Sequence, residues 1–184
     1  MMLLDNLIRT VDGALSAEQC DYLIDMFERN VALQETQMNG KGQSLTRMNL
    51  MGSSHTPFRE DLDYLTKVFS AGVEKYKAAC GIQSWQFPKK YALEAIKIKR
   101  YEPDTNESFP DHIDVMDLEM SRRFLVMFIY LTDNEGGQTF VQDFVSPCKQ
   151  GTMLLFPPMW PWVHSGESPV KTSKYILGSY LHYV

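Results

Sequence analysis

The sequence predicts an α+β fold in which two amphipathic helices come first and cover one face of a β-sandwich or barrel built by the strands that follow. Helical spacing of apolar residues is confined to two stretches, near 17–29 and 58–80. From Tyr91 onward the segments are short, rich in branched and aromatic residues, and separated by turn chemistry such as "EPDTNES", "TDNEGGQ", "SPCKQG" and "HSGESP". No internal repeat or linker divides the chain, and 184 residues at 44% hydrophobic and 22% charged suit one domain with a substantial core. The expected organisation is a single domain over 1–184, with a helical support over about 1–90 and a strand core over about 91–184.

The first helix is predicted over Ala17–Arg29, because Ser16 and Gln19 stand in the spacing of a capping box and Cys20, Leu23, Ile24 and Phe27 follow at helical intervals. The next stretch, 31–55, mixes Gly, Asn, Gln, Ser and Met without a sustained period and reads as a long loop or a weak ribbon, a candidate lid. Thr56 and Pro57 then read as the cap and first residue of a second, longer helix. Its stripe is Phe58, Leu62, Leu65, Phe69, Val73, Tyr76 and Cys80, and Gly81 ends it.

Two strands carry further information. "RRFLVMFIYLTD" is apolar on both faces, as a central strand must be. "EAIKIKRYEP" alternates, so Ile96 and Ile98 share one face while Lys97, Lys99 and Tyr101 share the other. With the isoleucines turned to the helices, the polar face and Tyr101 look into the sandwich, and a polar interior points to a bound ligand.

The net charge of -5 provides no electrostatic footprint for phosphate backbones and argues against nucleic acid as a partner. Three cysteines without close spacing argue against a disulfide framework or a CxxC zinc site and fit a reducing cytoplasm. The amino terminus lacks a basic start and a cleavage site, and no stretch nears eighteen apolar residues, so neither export nor a membrane span is expected. The sequence does not fix an oligomeric state.

In "FPDHIDVMD", His112 and Asp114 are two residues apart, so an extended backbone brings both to one point, where a neutral imidazole and a carboxylate suit a divalent metal. Asp111 faces the other way. The same pattern also fits an aspartate that merely orients a surface histidine. His164, after the aromatic run "LLFPPMWPWV", is a third ligand from a distant strand, or a turn histidine beside Ser165 and Gly166. Two histidines and one carboxylate compose the facial triad that leaves open positions on Fe(II).

In their order, "RYEP", "HID", "RRFLVMFIYLTD", "GGQTF", "GTMLLFP", and a histidine followed ten residues later by the lysine of "KYILGSYL" resemble the Fe(II)- and 2-oxoglutarate-dependent dioxygenases, in particular their prolyl 4-hydroxylase-like branch. The resemblance covers about 93–183. It implies a double-stranded β-helix (jelly-roll) core with N-terminal helices packed on one sheet, and it implies Fe(II), 2-oxoglutarate and O2 as cofactor and cosubstrates, with ascorbate as a reductant.

By the same resemblance His112, Asp114 and His164 hold iron, Lys174 receives the far carboxylate of 2-oxoglutarate, Tyr101 and Tyr130 hydrogen-bond it, and Thr139 lies beside the metal. A buried carboxylate requires such a cation, because burying it alone costs several kcal/mol. Alternation places Ile176 and Gly178 on the face of Lys174. Gly136 and Gly137 read as a turn, Arg123 as an arginine of the branch or an edge ion pair, and Trp160 and Trp162 as mouth or core aromatics.

The implied reaction hydroxylates an unactivated C–H with decarboxylation to succinate and CO2, and the carboxylate ligand Asp114 favours hydroxylation over halogenation. The expected substrate is a prolyl residue in a peptide or protein. A free amino acid or small metabolite is the alternative within that chemistry. Outside it stand a non-catalytic jelly-roll binding protein, which the full set of site residues disfavours, and a zinc hydrolase, which would leave Lys174 without a role.

Overall fold

A computed structural model describes residues 7–38, 44–52, 57–103, 105 and 107–184. Helix α1 (Ala17–Arg29) begins where the capping box sets it: the Gln19 amide donates to Ser16 Oγ at 3.3 Å, and the Ser16 amide donates to Gln19 Oε1 at 2.8 Å. It buries Cys20, Leu23, Met26 and Phe27. Helix α2 (Arg59–Ala79) buries Leu65, Phe69, Val73 and Tyr76 along one stripe.

The start of α2 differs from expectation. Pro57 lies in the preceding turn, Phe58 is the N-cap without a side-chain cap, and Thr56 lies outside the described residues. At the other end Cys80 is the C-cap and Gly81 adopts φ +66°, a left-handed conformation that a β-carbon disfavours.

Among the described residues the strands are, in chain order, β1 (Arg9–Val11), β2 (Gln34–Met38), β3 (Ser44–Asn49), β4 (Tyr91–Leu93), β5 (Lys97–Tyr101), β6 (Phe109–His112), β7 (Arg123–Tyr130), β8 (Thr139–Val141), β9 (Phe144–Ser146), β10 (Met153–Phe156), β11 (His164–Gly166) and β12 (Lys174–Tyr183). They form two antiparallel sheets, the larger in the order β1-β10-β7-β12-β5-β3-β2 with β4 beside β12, the smaller in the order β6-β11-β8-β9. This is the double-stranded β-helix core with helices on one sheet. As "RRFLVMFIYLTD" predicts, β7 is central, between β10 and β12.

The N-terminal part is more than helical support. Strand β1 extends one edge of the large sheet through the pairing of Val11 with Met153. The stretch read as a loop or weak ribbon is a ribbon: β2 and β3 pair with each other, and β3 pairs with β5 through Arg47 opposite Lys99. Residues 39–43 and 53–56 of that region lie outside the described residues.

Two cores flank the large sheet. Outside it, the helices pack on Ile96, Ile98, Met127, Ile129 and Leu177. Between the sheets lie Tyr130, Val141, Leu154, Phe156, Trp162 and Ile176. Burying each such side chain contributes about 1.5–3 kcal/mol, so the sheet is fixed from both faces and the side chains it directs inward are placed rigidly. Among the described residues no helix is long and apolar enough to cross a membrane, and Cys20, Cys80 and Cys148 are buried free thiols.

Candidate metal centre and cosubstrate cavity

The end of β6 and the start of β11 bring His112 and His164 together, because these two residues are directly opposite in the antiparallel pair. Their ring centroids are 4.1 Å apart. Asp114 stands just beyond the end of β6, where its amide donates to the Pro158 carbonyl at 3.2 Å. One ligand atom from each of the three residues falls within 4.8 Å of the others. Asp111 is exposed, as alternation predicts.

The tautomers follow from the hydrogen bonds. Nδ1 of His112 is 2.8 Å from the Pro110 carbonyl and Nδ1 of His164 is 3.0 Å from the Trp162 carbonyl. A carbonyl oxygen can only accept, so each Nδ1 carries the proton and each Nε2 keeps a bare lone pair. Nε2 of His164 comes within 3.3 Å of Asp114 Oδ2, and Nε2 of His112 within 3.8 Å of Oδ1. Among the described residues neither the Nε2 of His164 nor Oδ2 of Asp114 has a hydrogen-bond partner, although both are buried. Bare nitrogen and oxygen donors converging in a buried place are costly without an ion to share them, and two imidazoles with a carboxylate fit Fe(II).

Electrostatics keep the donors in ligating form. Burial, followed by the neighbouring His164, pushes the His112 pKa down to about 4, so its imidazole is neutral at physiological pH. Burial alone would raise Asp114, but His164, His112 and the Tyr180 hydroxyl outweigh it and hold the carboxylate below its usual range. The Tyr180 hydroxyl donates to Asp114 Oδ1 at 2.8 Å, which reserves Oδ2 for a metal. Arg123 stacks over the Tyr180 ring, 4.2 Å from its centroid, and is itself held by Glu94 through two 2.8 Å hydrogen bonds. The edge ion pair expected of Arg123 therefore exists and supports the ring.

Below the triad the large sheet forms the floor of a 380 Å³ cavity. Register makes that floor a ladder: Tyr101 is opposite Lys174, Lys99 opposite Ile176, and Lys97 opposite Gly178, all on the face predicted to look inward. Lys174 is only 1% exposed, its ammonium lies 5.2 Å from the Tyr101 ring centroid, and among the described residues it has no hydrogen bond or ion pair. Burial lowers its pKa to about 8 and also raises that of the Tyr101 hydroxyl.

Thr139, at the start of β8, is buried and lines the same cavity. Tyr130 does not line the cavity: its buried hydroxyl lies in the core between the sheets near the hydroxyls of Ser146 and of the cavity-lining Thr139, beside Ile176 in register. Trp162 belongs to that same core, while Trp160 is exposed. Gly137 does more than turn the chain: at φ +70° it approaches Lys174 so closely that a β-carbon there would sit 3.0 Å from the lysine Cδ.

Tyr180 and Lys99 escaped the sequence reading as site residues. Both could have been found from parity, since Tyr180 continues the Lys174, Ile176, Gly178 series and Lys99 lies between Lys97 and Tyr101.

Residues 96–182 match the family described as the 2OG-Fe(II) oxygenase superfamily. No curated protein matches the chain significantly. Among solved structures the chain is similar to the viral collagen prolyl hydroxylase from Paramecium Bursaria Chlorella virus-1 in its 2OG complex, with TM-score 0.71 and 20% identity over 97% of this chain and 96% of that one. It is similar also to a Pseudomonas putida prolyl-4-hydroxylase, with TM-score 0.63 and 15% identity over 97% and 93% of the two chains. A third is a prolyl hydroxylase from Trichoplax adhaerens in complex with a hypoxia inducible factor oxygen degradation domain peptide fragment, with TM-score 0.67 and 14% identity over 98% and 87%. At these identities the likeness is one of fold.

Proposed function

We propose that this chain is a dioxygenase using Fe(II), 2-oxoglutarate and O2, as the match of residues 96–182 to the 2OG-Fe(II) oxygenase superfamily and the converging His and Asp donors support, and that it hydroxylates an unactivated C–H of a prolyl residue in a peptide or protein. The oxygenase reading is carried by one observation: bare His and Asp donors converge above a floor that holds a buried lysine with no hydrogen bond or ion pair among the described residues. The prolyl reading is supported by the fold shared with prolyl hydroxylases, one of them holding a peptide.

His112, Asp114 and His164 would hold the iron, and bound iron with 2-oxoglutarate and O2 supplies the oxidation, releasing succinate and CO2. The residues of the chain provide binding, orientation and exclusion of water. Lys174 would pair with the far carboxylate of the cosubstrate, gaining the partner its burial lacks. The Tyr101 hydroxyl stays protonated and is available to donate to that carboxylate. Phe109, Phe128 and Ile176 give the cavity an apolar wall, which strengthens every charge interaction within it. Thr139 presents a hydroxyl from the opposite sheet, whereas Tyr130 would act through packing beside Ile176. Ascorbate would serve as the external reductant. The chain is taken to work as one domain, because β1, β2 and β3 are strands of the sheet that carries Lys174.

The test is a screen for substrate-stimulated succinate formation with Fe(II), 2-oxoglutarate and ascorbate. Proline-containing peptides are expected to stimulate and to gain one oxygen on proline. Stimulation by free amino acids alone would replace the peptide reading with that of a metabolite hydroxylase.

A further inference from the structure

Five cations line the cavity, and they are not equivalent. Arg47 is neutralised by Glu35 at 2.7 Å and also donates to Gln37 at 3.1 Å. Arg123 is neutralised by Glu94. Lys97, Lys99 and Lys174 have no hydrogen bond or ion pair among the described residues, although each points into the cavity. Glu35 and Glu94, the acids nearest Lys97, are already committed to the arginines.

Charge accounting then leaves a remainder. Fe(II) carries two positive charges, which Asp114 and the chelating carboxylate of 2-oxoglutarate cancel, and Lys174 cancels the other carboxylate. Lys97 and Lys99 stay uncompensated in a cavity whose wall is partly aromatic, and a charge in such a place is costly until an opposite charge arrives. Lys99 is the deeper of the two, with its ammonium 5.3 Å from the Phe109 ring centroid and 6.0 Å from that of Phe128. Both rings border the ammonium of the half-buried Lys99 and favour its position over the floor. Burial lowers its pKa to about 8, with Asp114 opposing that shift, so the group sits within electrostatic reach of the metal ligands.

We propose that the oxidised substrate is anionic and that Lys99, with Lys97 one rung nearer the mouth, receives its carboxylate beside the metal site. This rests on the oxygenase reading above and adds the substrate class to it. The carboxylate can come from an acidic side chain next to the target residue in a peptide or from the α-carboxylate of a small acid.

The experiment measures anaerobic binding to the protein loaded with Fe(II) and 2-oxoglutarate, so it does not depend on turnover. The probes are matched pairs: a blocked peptide with glutamate or glutamine beside proline, the same pair with alanine in place of proline, and free L-proline against L-prolinamide. The charged member of at least one pair is expected to bind about tenfold or more tighter. Lys99→Met should remove that preference and Lys99→Arg should keep it, with 2-oxoglutarate affinity within about twofold of the original in both, as expected for a residue outside the cosubstrate site. Preference in the peptide pairs identifies a side-chain carboxylate, and preference in the free amino acid pair an α-carboxylate. Charge preference in the alanine pair as strong as in the proline pair would refute the prolyl reading while sustaining the anionic one. Equal or absent binding within every pair overturns the proposal, as does a loss of 2-oxoglutarate affinity in Lys99→Met as large as its loss of charge preference.

Discussion

Replacing Lys174 with methionine should make the protein more stable without cosubstrate and unable to bind it. Lys174 is 1% exposed, its ammonium has no hydrogen bond or ion pair among the described residues, and its pKa falls from 10.5 to about 8 on folding. The unfolded chain thus binds this proton more readily than the folded one, so the charge opposes folding fully below pH 8 and the penalty fades as pH rises from 8 towards 10.5. At about 1.4 kcal/mol per pK unit the penalty is roughly 3 kcal/mol at pH 7. Methionine keeps the apolar stem of the lysine and removes the charge. For a chain of 184 residues that gain corresponds to a rise in Tm of roughly 6 to 12 °C at pH 7 and to almost none near pH 10.5.

Cosubstrate reverses the order. Losing one partner of a buried charge pair costs about 3–5 kcal/mol, so 2-oxoglutarate affinity should fall by a factor of a hundred or more. Differential scanning fluorimetry across pH, with and without 2-oxoglutarate and Fe(II) under anaerobic conditions, reads both effects. A Lys174→Met variant that is less stable than the parent at pH 7, or that keeps the parent's thermal shift with 2-oxoglutarate, would refute the reasoning.

Other substitutions and pH probe the triad. His112→Ala should lower Fe(II) affinity by at least about a hundredfold in anaerobic equilibrium dialysis, as expected when one of three ligands is lost, with the far-ultraviolet circular dichroism unchanged because His112 closes a strand. Tyr180→Phe should weaken Fe(II) binding about tenfold, within the range for loss of a partner that orients a ligand, and should leave Tm nearly unchanged because the ring still stacks under Arg123. Fe(II) affinity measured by the same dialysis should fall as pH drops towards 4, where protons compete for the imidazole of His112. An affinity as high at pH 4 as at pH 8 would contradict ligation by that histidine.

What could be read from the sequence, and what could not, has physical causes. Helix α1 was legible because its start is a local device, the reciprocal Ser16 and Gln19 bonds. The inward face of β5 was legible because alternation forces it, and the same parity on β12 placed Ile176 and Gly178 with Lys174. The β2–β3 ribbon was not distinguished from a loop: "QETQM" and "SLTRMN" have little strand propensity of their own, and their pairing is imposed by the distant β5 through Arg47 opposite Lys99. Strand β1 is only three residues long and exists through its register with β10. The start of α2 was placed early because a proline after threonine imitates a cap, while the helix begins after Pro57. Parity places the Tyr180 ring on the face of Lys174, but only its partner Asp114, distant in sequence, reveals a role for the hydroxyl.

The most direct measurement is an anaerobic spectrophotometric titration of the protein with Fe(II) and then 2-oxoglutarate. One equivalent of iron should bind, and the cosubstrate should then bring up a weak visible charge-transfer band that is absent in His112→Ala and needs far more 2-oxoglutarate in Lys174→Met. No band in the parent protein, or the same band in His112→Ala, would contradict convergence of these three side chains on a single ferrous ion.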